Sequence, residues 1–191
     1  MKHLLLTMTL ISLGGAAAAQ DWSGAYVGAQ TTNSSFTNTY YLANDTQNGP
    51  PIDGGGSMSG LFAGYNHQIG NIVVGGELSY LSGDPAFDLF PGYYFSDMLD
   101  LKARAGFSLG RVMPYAVIGL SRTEWTNGAA TPVNGTGFAV GAGAEVQVTD
   151  RVQVGLEYLK RDLTMDDFVE FPGEYIEGDF STVTFRVGYQ F

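Results

Sequence analysis

Ser181 to Phe191, STVTFRVGYQF, is the stretch whose reading decides the fold. Val183, Phe185, Val187, Tyr189 and Phe191 share one parity, and Thr184, Arg186, Gly188 and Gln190 share the other. A period of two sends alternate side chains to opposite faces of a strand. One face is therefore wholly apolar and ends in aromatics; the other holds a charge, an amide and a glycine. In a soluble sandwich the apolar face points into the core. In a transmembrane barrel it meets lipid, and the polar face fills a narrow lumen.

The same alternation recurs upstream, over Trp22–Ser34, Ser57–Ile69, Ile72–Ser82, Asp97–Leu109, Val112–Trp125, Gly135–Val148 and Val152–Leu163. Each run reaches the roughly 9–11 residues that a tilted transmembrane strand needs. The connections alternate in length. Phe36–Gly56, Gly83–Ser96, Thr126–Asn134 and Thr164–Asp179 are long and read as loops, the first of them closing on Gly54-Gly55-Gly56. Gly70-Asn71, Gly110-Arg111 and Thr149-Asp150-Arg151 are tight turns. A soluble up-and-down barrel has no reason to sort its connections this way, whereas an outer-membrane barrel has short periplasmic turns and longer external loops. The expected fold is all-β: an eight-stranded antiparallel up-and-down transmembrane β-barrel with both strand termini on the periplasmic side.

The two faces agree with that orientation. One parity of each strand is almost entirely Ala, Val, Leu, Ile, Phe and Tyr; the other collects Gly, Ser, Gln, Asn and the strand charges. A lipocalin-type barrel keeps its apolar residues inside, which would strand the Gly137–Gly143 series of small residues on a solvent face. The interior of an eight-stranded barrel has room only for modest side chains. Tyr65, Phe107, Tyr189 and Phe191 fall near the periplasmic rim and Tyr80 near the external one, as interfacial aromatics do.

Composition narrows the function classes. The 191 residues include 27 glycines, 13% aromatics, only 15% charged residues and no cysteine, which suits one cysteine-free sheet protein. A formal charge of −10 excludes a sequence-independent nucleic-acid binder. Residues 1–19 read as a signal peptide: Lys2 and His3, the apolar run Leu4–Leu13, then small residues ending Ala17-Ala18-Ala19 before the cleavage point. That apolar run is too short for a spanning helix. Residues 20–191 are then the barrel.

The segments WSGAYVG, GYNHQIG, AGAEVQVTDRVQVGLEY and FRVGYQF resemble small outer-membrane barrels of Gram-negative bacteria, of the outer membrane protein A transmembrane-domain type within the porin-like group. The resemblance spans essentially the whole mature chain and implies location in the outer membrane. It implies that Phe191 is a signal for the barrel-assembly machinery, and that Glu77, Arg104 and Glu145 occupy charged interior positions. Where those barrels carry an interior arginine before Leu-Glu-Tyr, this chain has Gly155, and Arg186 on the neighbouring strand is the expected replacement. With no periplasmic domain in the sequence, a wall-anchoring role is not expected.

Parity places Glu77, Lys102, Arg104, Glu145, Glu157 and Arg186 inside. Two readings follow. Paired charges form a structural plug, because an unpaired buried charge is expensive, or they gate a low-conductance ion pathway by exchanging partners. Catalysis is not expected. His67, two residues before the Ile69–Asn71 turn, lies at the periplasmic end on the lipid-facing parity, away from any external substrate. Asp166, Asp167, Glu170, Glu174, Glu177 and Asp179 make the last connection acidic. Their spacing is not that of an EF-hand, and the expectation is a solvated acidic surface, or one bridged by divalent cations to lipopolysaccharide phosphates. No cofactor, metal site or catalytic residue is expected, and no nucleic-acid partner. The expected role is structural, surface-contact or adhesive, with Tyr40 and Tyr41 of the first loop as candidate contacts. A small pore is the alternative, and a lipid-modifying enzyme a disfavoured third.

Overall fold

The computed structural model describes residues 21–89, 92–126, 133–166 and 172–191. The expected signal peptide, and Asp167 and Glu170 of the acidic connection, lie outside these residues. The strands are β1 Gly24–Tyr41, β2 Ile52–Ile69, β3 Ile72–Gly83, β4 Ala86–Phe87, β5 Tyr94–Phe107, β6 Val112–Thr126, β7 Val133–Gln147, β8 Val152–Met165 and β9 Tyr175–Gln190. All but β4 are staves of one closed antiparallel barrel. Each stave pairs with its neighbours in the chain, and β1 pairs with both β2 and β9, so no edge remains.

Two of the turns are two-residue loops whose first residue needs a positive φ: Gly70 (φ 63°) and Gly110 (φ 70°). A hairpin of that kind favours glycine at its first central position. The third, after Gln147, is stitched by Thr149, whose Oγ1 accepts from the backbone N–H groups of Arg151 and Val152.

Side-chain exposure fixes the inversion. On the apolar parity, Phe138 is 76% and Leu61 66% exposed, whereas Arg161 and Arg186 on the opposite parity are almost wholly buried. About five outward positions per stave form the apolar belt, for example Val112, Pro114, Ala116, Ile118 and Leu120 on β6. The aromatics Tyr65, Phe107, Tyr189, Phe191 and Tyr80 all face outward.

The staves continue well beyond that belt, and here the sequence-based boundaries need correction. Phe36–Gly56 is not one long loop: β1 runs on to Tyr41 and β2 begins at Ile52, leaving a connection of residues 42–51. Tyr175–Asp179 belongs to β9, and β5 begins at Tyr94. Gly54 and Gly55 are strand residues against which β4 pairs, Gly54 facing Phe87 and Gly55 facing Ala86. A β-carbon on Gly54 would run into the Ala86 carbonyl and the Phe36 ring, so close approach accounts for that glycine.

In these extensions the polarity of the two faces reverses. On β9, Val183, Phe185 and Val187 point outward within the belt, but Phe180 and Ile176 point inward above it while Ser181, Asp179 and Glu177 face out. β1 does the same, with Ala25, Val27 and Ala29 outward below and Phe36 inward above. Above the belt the outer surface meets water, so each stave changes from a membrane pattern to that of an ordinary soluble barrel.

Candidate functional site

Large lumen side chains stand directly across the ladder from glycines. Tyr26 faces Gly64, Phe62 faces Gly28, Lys102 faces Gly119, Tyr115 faces Gly143 and Glu145 faces Gly155. A β-carbon on Gly143 would lie 2.5 Å from the Tyr115 ring, and one on Gly155 2.7 Å from Glu145 Cγ. Each absent side chain is the space its neighbour fills, and the lumen reaches close packing by this exchange.

The periplasmic mouth is closed by Trp22, which is fully buried. Its backbone N–H donates to Gln68 Oε1 at 2.8 Å, and its indole Nε1–H donates to the Gly110 carbonyl in the β5–β6 turn at 3.1 Å. Gln190 holds the same segment, its Nε2 donating to the carbonyls of Asp21 and Ser23. Val73, Met113 and Tyr115 complete the apolar surround.

Above Trp22 lies the ionic layer. The structure brings all six parity-selected residues into one network, each at most 5% exposed. Lys102 Nζ sits 2.7 Å from both Glu77 Oε1 and Glu157 Oε1. Arg104 donates to Glu77 Oε2 at 3.1 Å and to Glu145 Oε2 at 2.7 Å. Arg186 bonds Glu77, reaches Glu157 Oε2 at 2.7 Å and approaches Glu145 Oε1 at 3.6 Å. It rises from β9 opposite Gly155 of β8, the position left empty by that glycine. Tyr26 donates its hydroxyl to Glu77 and accepts from Arg104, while Tyr115 donates to Glu157 at 2.9 Å. Arg104 also lies over the Tyr115 ring and Arg186 over Phe62, with centroid distances of 4.0 and 4.1 Å. Three bases face three acids, which satisfies the requirement that buried charges be paired.

Two further layers escaped the sequence reading. Asp100 and Arg161 form a second buried pair: Arg161 Nε and Nη2 donate to the two carboxylate oxygens at 3.0 and 2.7 Å. Ser79 and Ser121 donate to the same carboxylate, and Thr182 accepts from Arg161. Arg161 shares the parity of Glu157 and Leu159, so continuing the alternation two residues further would have found it. Above this pair sits an apolar plug. Phe36 stacks on Phe180 at 4.8 Å and meets Phe87 and Phe95 edge-on at about 5 Å, with Met58, Met98 and Met165 filling around them. Its residues fall mostly in segments read as loops; the lumen parity of Phe180 and Ile176, continuous with Thr182 and Thr184, was the available signal.

Charge divides sharply along the barrel axis. The lumen holds Lys102, Arg104, Arg161 and Arg186 against Glu77, Asp100, Glu145 and Glu157 and is neutral. The periplasmic end balances Arg111 and Arg151 against Asp21 and Asp150. Among the described residues the remaining charges, eleven carboxylates against Arg122 and Lys160, lie at the external end, which is therefore strongly acidic. His67 is exposed on the outward face of β2 near the periplasmic turn. Among the described residues no group of His, Cys, Asp or Glu is arranged to hold a metal ion.

A closed barrel with lipid-facing apolar residues, a packed polar lumen and long external extensions defines an integral outer-membrane β-barrel. The sequence matches the outer membrane protein beta-barrel domain over residues 3–191, and the chain belongs to that family. It is 30% identical over 138 residues to the 25 kDa outer-membrane immunogenic protein of Brucella melitensis, covering 68% of this chain and 62% of that one; the chain thus spans about three fifths of that relative's length. It is 27% identical over 179 residues to the 22 kDa outer membrane protein of Rhizobium leguminosarum bv. viciae, covering 91% and 80%. The fold also resembles the crystal structure of Neisserial surface protein A, with a TM-score of 0.53 at 18% identity over 88% of this chain and 98% of that one. The two sequence relatives are named as outer membrane proteins and not as enzymes. The protein resides in the outer membrane.

Proposed function

We propose that the protein works at the cell surface, as a sealed barrel whose external extensions make contacts, and not as a conduit or an enzyme. The observation that carries this reading is the filled lumen. An ion entering from outside meets the phenylalanine plug, then the Asp100–Arg161 pair, then the six-residue ionic layer, then Trp22. Partner exchange within the ionic layer opens only one of these four levels, so the six charges act as a structural plug. The protein catalyses no reaction: His67, the histidine of the barrel, faces the periplasmic interface, remote from lipid A or an external peptide.

Planar-bilayer recording tests the seal. Wild-type protein is expected to give no resolved conductance steps, and Glu77→Ala to give none either because the apolar plug stays intact. Discrete steps from wild type that vanish in Glu77→Ala would establish the gated pore instead.

Phe191 serves the assembly machinery. It is 71% exposed, is pinned by its N–H to the Ala25 carbonyl at 3.0 Å, and packs edge-on against Tyr189. External partners are outer-membrane lipid and lipopolysaccharide.

A further inference from the structure

Every Lys and Arg of the described residues has a place in the fold: four in the lumen, Arg111 and Arg151 at the periplasmic turns, and Arg122 and Lys160 at the external end. Those last two occupy the same station on their strands. Arg122 is the first outward residue above Leu120, where the β6 belt ends, and Lys160 the first above Tyr158, where the β8 belt ends. The carboxylates Glu124 and Asp162 come one outward step higher. Two bases in an otherwise acidic crown thus stand at the level where headgroup phosphates meet hydrocarbon.

Between them, β7 presents Phe138, whose register partners are Leu120 and Asp162. It is the most exposed of the outward aromatics, at 76%. Arg122 leans toward β7, its Nε and Nη2 donating to Asn134 Oδ1 at 3.3 and 2.8 Å. Among the described residues its Nη1 has no partner, and guanidinium donors in a fixed fork suit a phosphate. Lys160 meets Asp179 at 2.9 Å, but both groups are more than half exposed, so that pair is weak and the ammonium keeps donors for a second acceptor.

We propose that the outward face of β6–β8 binds the phosphate groups of an outer-leaflet glycolipid, with Arg122 and Lys160 on the phosphates and Phe138 against an acyl chain. The proposal rests on the outer-membrane location and is independent of whether the lumen conducts.

The test uses the folded protein in neutral-detergent micelles with EDTA present, titrated with bisphosphorylated lipid A, dephosphorylated lipid A or inorganic phosphate. Binding is read as the shift in the temperature at which the folded gel band converts to the unfolded one. Bisphosphorylated lipid A should raise that temperature, and the other two probes should raise it much less. Arg122→Gln and Lys160→Gln should each weaken lipid binding about fivefold, and the double variant should lose most of the shift. Arg111→Gln/Arg151→Gln should keep it. A double variant that folds and retains the full shift overturns the proposal, as does an equal shift from inorganic phosphate or from dephosphorylated lipid A.

Discussion

Glu77 accepts from three cations at once, so replacing it with alanine leaves Lys102, Arg104 and Arg186 sharing two acids in a water-poor lumen. Breaking a buried pair from one side costs about 3–5 kcal/mol, and urea unfolding of Glu77→Ala in micelles should show a loss of that order. The glycines are as exacting. Gly143→Leu places a branched side chain in the Tyr115 ring and should fail to reach the compact, heat-modifiable form, whereas Ala142→Leu, one residue away and facing lipid, should reach it. The Trp22 side chain contributes packing and one hydrogen bond. Trp22→Ala should cost about 3–5 kcal/mol, and Trp22→Phe, which keeps most of the packing and loses the bond to Gly110, about 1 kcal/mol. The six lumen charges were legible in the sequence because parity alone assigns a strand residue to a face. Trp22 was not, since it lies at the end of its run, two residues before β1 begins, where the phase of the alternation is loose.

At the scale of the strand, one hydrophobic rule changes sign within a single element. Inside the bilayer the apolar parity faces out; above it, where water replaces lipid, the apolar parity faces in. The eight staves, their turns and their orientation could all be read because the belt holds about five consecutive outward apolar residues. The upper halves could not, because Asn33–Tyr41 and Ser57–Ile52 are mostly Ser, Thr, Asn and Gly on both faces, the composition of a loop. Backbone pairing across fifteen register positions between β1 and β2 holds those residues in strands, and Phe36 supplies the inward anchor. Removing anchors from this region should loosen it alone. Phe36→Ala/Phe180→Ala is expected to speed proteolysis at the external tips while the belt-level staves keep their hydrogen-exchange protection.

For the whole molecule, the order of the layers gives the lumen four barriers in series, one apolar, two ionic and the Trp22 stopper. Opening one leaves three, so Phe95→Ala/Phe180→Ala should remain silent in a bilayer, and so should Lys102→Ala added to that pair, because Asp100–Arg161 and Trp22 still close the lumen. The axial sorting of charge has a second effect. Among the described residues, a neutral lumen and a neutral periplasmic end leave the external crown as the strongly charged surface, so basic proteins and divalent cations should associate with it in a salt-dependent way.

The unequal reach of the staves gives the crown a profile. β1 and β2 each run for 18 residues, but β6 for only 15. At about 3.3 Å per residue that difference is about 10 Å along the strand. The barrel therefore raises a parapet on its β9–β1–β2 side and stands low on the side that carries Arg122 and Lys160. A bulky visitor descending through a forest of sugar chains touches the hairpin tip at residues 42–51 first, and antibodies raised against that tip should label intact cells that shield the lower rim.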